Sequence, residues 1–273
     1  MDARPAPRPA PSSLLAALGL YVVWTAATWA LEGRIGTLLR PEAAFGRALY
    51  AVVANLLIGT LGAAWVVRWM VLVGHADRRE VGFGPPARSA LAVAAGLGLG
   101  FGLYAAQGAP TLDPVVLANA FAQVLVVSAA EVMVCWAAVG SAVLATLRAR
   151  GWRRVHAALA TAVAASLLFG LHHYAHSPPF DSHGMVALLA AVGLATGLFF
   201  FVSREVYGTV AFHNWRGVFG VAQAMRASGT LDALSAPRAP LLAMGALSVA
   251  VLVAADRLWI RPGAASAPGG QRA

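Results

Sequence analysis

From Ser13 onward the chain is a succession of long apolar runs broken by short polar connections. Eight runs come near or exceed the roughly 20 residues that a membrane span requires. They extend from Ser13 to Leu31, Ala48 to Val73, Ser89 to Ala106, Val115 to Leu147, His156 to Tyr174, Met185 to Val202, Val206 to Met225 and Pro240 to Ile260. The pattern predicts an all-α, polytopic membrane helix bundle of about eight transmembrane helices, with a single domain over residues 13–261. The fourth run is overlong and must tilt, kink or project into water. "MDARPAPRPAPSS" reads as a flexible flank over residues 1–12, and the run after it exceeds a usual signal-peptide core, so it is expected to be an uncleaved span. Residues 262–273 are expected to form a disordered tail.

Composition agrees. The chain is 59% hydrophobic and 11% charged, whereas soluble domains carry about 25% charged residues. A single cysteine excludes an internal disulfide framework, and no zinc-type cysteine spacing occurs. The net charge of +9 comes from arginine without lysine, scattered between apolar runs and lacking aromatic interleaving. It therefore reads as a topology signal with the lipid bilayer as partner, and not as a nucleic-acid surface. Arg78, Arg79 and Arg88 in the second connection share a side with Arg148, Arg150, Arg153 and Arg154 in the fourth. The positive-inside rule places that side and both termini in the cytoplasm, and the fifth connection outside.

Ionisable groups at membrane depth are expensive and usually functional. Glu131 lies in the middle of the fourth run. Asn119, Gln123, Glu131 and Cys135 fall along one helical face, with Ser128 one turn before the glutamate. In the fifth run Ser166, Phe169 and His173 share a face; in the seventh, Thr209, His213, Arg216 and Gly220 do. "LLFGLHHYAHSPPFDSHG" holds four of the seven histidines, and of these His172, His176 and His183, with Asp181, are expected to be solvated loop residues. Adjacent helical positions point about 100° apart, so His173 and not His172 is expected on the face of Phe169. The glycines of "GLGLGFG", Gly96 to Gly102, are expected to admit close helix approach.

A glutamate in the fourth span, Phe-x-x-x-His from Phe169 to His173, and a histidine in the seventh span resemble the CPBP family of intramembrane proteases, which includes CAAX-prenyl endopeptidases and bacterial Abi proteins. The resemblance covers residues 114–226 or so. It implies an eight-span bundle in a bacterial inner membrane that hydrolyses a peptide bond in a membrane-embedded or lipid-anchored protein or peptide, with no cofactor and no metal required. In that scheme Glu131 activates water, His173 positions it and His213 stabilises the oxyanion, with Phe169, Arg216 and Ser128 in support. The family pattern is Glu-Glu-x-x-x-Arg, Phe-x-x-x-His and His-x-x-x-Asn. Here the first motif keeps one glutamate and no arginine, and Gly217 stands where the asparagine would be.

Two registers follow. Glu131 matches the second glutamate, with Ala130 and Cys135 replacing the first glutamate and the arginine, or it matches the first, with Val132 and Trp136 as the replacements. Losing a buried ion pair together costs less than stranding one charge, which favours the second register unless Arg216 supplies the cation. Two other classes stay open: a catalytically decayed scaffold or partner-binding protein of the same fold, and a haem or metal protein using His173 and His213. Counting at 1.5 Å per residue puts Glu131 ~26 Å from Arg148, His173 ~28 Å from Arg154, but His213 only ~14 Å from Arg204. An irregular sixth connection dipping into the membrane around "SREVYG" would reconcile them.

Overall fold

The computed structural model describes residues 11–40 and 42–262, and over these the chain is all-α. Eight long helices follow one another: α1 Ser12–Gly33, α2 Ala44–Leu72, α3 Pro86–Ala106, α4 Pro114–Ala149, α5 Arg154–Ala175, α6 His183–Ser203, α7 Val206–Ala227 and α8 Ala239–Ile260. Seven of them are long and apolar enough to cross a membrane, so the protein is an integral membrane helix bundle. The exception is α7, whose 22 residues include His213, Asn214 and Arg216. Those groups lower its hydropathy, and it is sheltered by α3, α4 and α6. The expected flank and tail lie outside the described residues except at their inner ends.

Local chemistry sets the helix starts. Asp113 caps α4, its Oδ1 accepting from Val115 N at 2.8 Å and Val116 N at 3.0 Å, and Pro114 follows at the first helical position. Ser182 caps α6 by accepting from Met185 N. The overlong α4 neither breaks nor leaves the bundle. Its 36 residues span ~54 Å, its middle from Val132 to Gly140 winds as a π-helix, and every residue from Val126 to Ala142 is buried. It is the central post, touched by α1, α2, α5, α7 and α8.

Small residues bring the outer helices close, as in other membrane interfaces. A Cβ at Gly96 of α3 would fall 2.3 Å from the Gly208 carbonyl oxygen of α7, and one at Gly100 2.7 Å from the Trp215 ring. Gly98 and Gly102 face open space, so only one side of the glycine run serves packing. On α5, a Cβ at Gly170 would lie 2.7 Å from Ala190 Cβ of α6.

The connections are pinned at both ends. At the histidine end, the buried Glu32 carboxylate accepts from Thr37 N at 2.7 Å, Leu38 N at 3.2 Å, the Thr37 hydroxyl, and Ser177 Oγ at 2.6 Å. It thereby ties the first connection to the fifth. Gln123 Nε2 of α4 donates to Leu38 O at 2.8 Å. At the arginine end, the sixth connection is no irregular dip but a two-residue turn, with Arg204 left-handed at φ 53° and Glu205 extended. The segment before α3 covers it: Gly82 O accepts from Val206 N at 2.8 Å, and Arg88 donates to Ser203 O. Glu205 and Val206 are buried beneath that cover, while the Arg204 side chain is half-buried at the arginine end.

Candidate functional site

Three helices bring their ionisable groups together. Glu131 on α4, His173 on α5 and His213 on α7 are all buried and line one cavity of about 90 Å³. His213 Nε2 lies 2.8 Å from Glu131 Oε2, and His173 Nε2 lies 3.7 Å from Oε1. Apart from His176 and Arg216 the remaining wall is apolar, with Val124, Val127, Leu189 and Val192 among its residues.

Each histidine is oriented from behind. His173 Nδ1 lies 2.9 Å from the Phe169 carbonyl oxygen, which can only accept, so Nδ1 carries the proton. In the neutral ring Nε2 then presents a lone pair toward Glu131. His213 Nδ1 lies 2.9 Å from Thr196 Oγ1 of α6, and that hydroxyl donates to Val192 O at 3.1 Å. Nδ1 thus supplies the proton to Thr196, and Glu131 and His213 share the proton between Oε2 and Nε2. The pair is either imidazolium and carboxylate or imidazole and carboxylic acid. A single proton poised between two groups of that kind is what general acid and base work requires.

Aromatic rings fix the geometry further. Phe169 meets His173 edge-on at 4.7 Å and His213 at 5.2 Å, while Trp136 packs 5.4 Å from His213 and 5.2 Å from Phe169. No family model, curated protein or solved structure matches the chain. The site therefore rests on its own geometry.

Other candidates divide. Arg216 lines the same cavity and is half-buried, yet it forms no ion pair with Glu131 among the described residues, and its Nη1 has no hydrogen-bond partner. Ser128 is buried but does not line the cavity; its Oγ lies toward Gly217. At Gly217 a Cβ would come within 2.5 Å of Val124 Cγ1, so a side chain there would force Val124 to shift at the contact of α7 with α4.

Two expectations about the fifth connection need correction. His172 and His176 are not solvated but buried, at 0% and 4% exposure. His172 stacks on Trp24 of α1 at 3.7 Å and 7°, with Nδ1 3.0 Å from Thr25 Oγ1, so its ring serves helix packing and is not part of the cavity wall. His176 does line the cavity, stacked on His173 at 4.9 Å, and neither of its nitrogens has a hydrogen-bond partner. Glu131, His173 and His176 have candidate ligand atoms all within 4.8 Å of one another, so they are the residues able to hold a metal ion. His183 is exposed as expected, its Nδ1 2.6 Å from Tyr174 Oη.

Sequence reasoning passed over Thr196 and His176. Thr196 is the only polar side chain between Met185 and Val202 of α6, which was a readable signal. His176 gave none, because the neighbouring tie of Ser177 to Glu32 joins residues far apart in the sequence.

Proposed function

We propose that this protein is an intramembrane endopeptidase in which Glu131 activates the hydrolytic water. The observation that supports this is the Glu131 carboxylate held between His213 Nε2 at 2.8 Å and His173 Nε2 at 3.7 Å in an apolar cavity. A water bridging the wider of the two gaps would donate hydrogen bonds to Glu131 Oε1 and to the His173 lone pair, and it would give one proton to Glu131 while keeping the other on its oxygen. Its oxygen would attack the scissile carbonyl. His213, sharing a proton with Oε2, would then donate to the oxyanion as charge develops. Glu131 returns a proton to the leaving amine, which closes the cycle without net change in the enzyme.

In the register where Glu131 is the first glutamate of the CPBP pattern, the residue at the motif arginine is Trp136. It fills the place of the motif arginine with a fully buried ring against Phe169 and His213, and Val132 lies in the apolar core. Ala130 and Cys135 are buried alike, so the register rests on the lower cost of losing both members of an ion pair together. The substrate class is a membrane-embedded or lipid-anchored protein or peptide. In a bacterial inner membrane the arginine end faces the cytoplasm.

A metal-assisted variant has one specific observation behind it. His173 holds its outer nitrogen on a backbone carbonyl, as metal-binding histidines do, beside Glu131 and His176. Chelation separates the two: the glutamate-water mechanism predicts unchanged cleavage in excess chelator, whereas loss restored by a divalent ion would favour the metal.

The reading is tested by comparing membrane-fraction peptide termini from cells expressing and lacking the protein. New termini within or beside apolar segments are expected. None at all would favour a catalytically decayed scaffold of the same fold.

A further inference from the structure

A second recess lies at the arginine end, away from the histidines. Its volume is about 660 Å³, and its mouth carries Arg79, Arg88, Arg148, Arg154 and Arg204 against only Asp77 and Glu80. Arg148 is paired with Glu80, and Arg88 lies 3.7 Å from Glu205. Arg79, Arg154 and Arg204 have no carboxylate at ion-pair distance among the described residues. Arg204 is aimed by its surroundings: its guanidinium lies 5.2 Å over the Phe201 ring and donates to Glu80 O at 3.3 Å.

Two observations set this recess apart from an ordinary polar rim. Arg204 occupies the left-handed C-cap of α6, at φ 53°, where glycine or asparagine is the usual residue. An arginine at a position that disfavours it points to use of its side chain. Burial, then the neighbouring Arg154, lower its pKa from the ordinary value, as expected where positive charge is crowded and incompletely compensated. The wall behind the arginines is apolar along two helices. Val155, Ala158, Leu159 and Ala162 form an i, i+3, i+4, i+7 stripe on α5, and Leu198, Phe201 and Val202 face it from α6. The stripe runs ~12 Å from the cationic mouth along the outer surface, where Val155, Leu159, Leu198 and Val202 are exposed.

We propose that this recess binds the phosphate headgroup of an anionic membrane lipid, with one acyl chain lying along the groove between α5 and α6. A cationic mouth continuous with an apolar groove matches a molecule charged at one end and aliphatic along its length, and a basic pocket between spans is a recognised setting for such headgroups. The site is separate from Glu131 and does not depend on the proteolytic reading.

The test uses the purified full chain in neutral detergent, with native mass spectrometry and thermal melting against added dioleoylphosphatidylglycerol, dioleoylphosphatidylcholine and inorganic phosphate. Phosphatidylglycerol should bind and raise the melting temperature, with much weaker effects from phosphatidylcholine and from phosphate. Arg154→Gln should weaken phosphatidylglycerol about fivefold, and adding Arg204→Asn, which suits the left-handed turn, about 25-fold. Ala158→Trp, which obstructs the groove and leaves every arginine in place, should weaken it as well and stands in if the arginine variants fail to fold. Equal binding of the two lipids, equal stabilisation by phosphate alone, or unchanged phosphatidylglycerol binding in the folded variants would each overturn the proposal.

Discussion

Glu131 and His213 face one another across the contact of α4 with α7, Oε2 to Nε2 at 2.8 Å, although 82 residues separate them in the chain. Neither side chain is exposed. The functional account depends on that pairing and on His173 closing the other side of the carboxylate.

The two adjacent histidines of α5 should separate cleanly. His173→Ala should lower cleavage by ~10²-fold or more, since it removes the lone pair facing Glu131. His172→Phe keeps a flat ring on Trp24 and should retain activity at little cost in stability. Cleavage assays on both variants check this, and the opposite ranking would shift the site by one residue.

Gly217 tests the packing of α7 on α4. The substitution Gly217→Asn should destabilise the protein by about 1–3 kcal/mol, because the new Cβ meets Val124. Val124→Ala in the same chain should recover much of that loss, a coupling readable by thermal melts of the two single variants and the double variant. Additive losses would mean that Val124 is not the obstacle.

How much of this was legible in the sequence depended on range. The spans were legible because lipid imposes length and hydropathy on each run separately, and Glu131, His173 and His213 stood out as ionisable groups at membrane depth. The burial of His176 was not, since the neighbouring link between Glu32 and Ser177 joins residues 145 positions apart. The cover over the start of α7 was not legible either, because it comes from Gly82 and its neighbours, far away in the sequence. His172 looked like loop because nothing near it in the sequence announces Trp24 as its partner.

Glu32 should behave as a structural group. Glu32→Ala leaves two backbone N–H groups and two hydroxyls without their acceptor and should cost about 3 kcal/mol or more. Because Leu38 and His176 line the cavity, cleavage should fall along with the melting temperature. Full activity in a destabilised variant would separate the two connections from the site.

Orientation is checked at Gly184, which faces open space beside the exposed His183. In a Gly184→Cys variant with Cys135→Ala, a membrane-impermeant maleimide should label from outside intact cells. Labelling only after the cytoplasmic face is opened would reverse the topology.

The most direct test of the central claim is Glu131→Gln, followed by cleavage and by thermal melting of the same preparation. Glutamine keeps the volume and an oxygen for His213 but cannot take up the water's proton at neutral pH. Cleavage should fall by at least ~10²-fold while stability changes by no more than about 1 kcal/mol. Unaltered cleavage, or a loss of activity fully matched by loss of folded protein, would contradict Glu131 as the water-activating base.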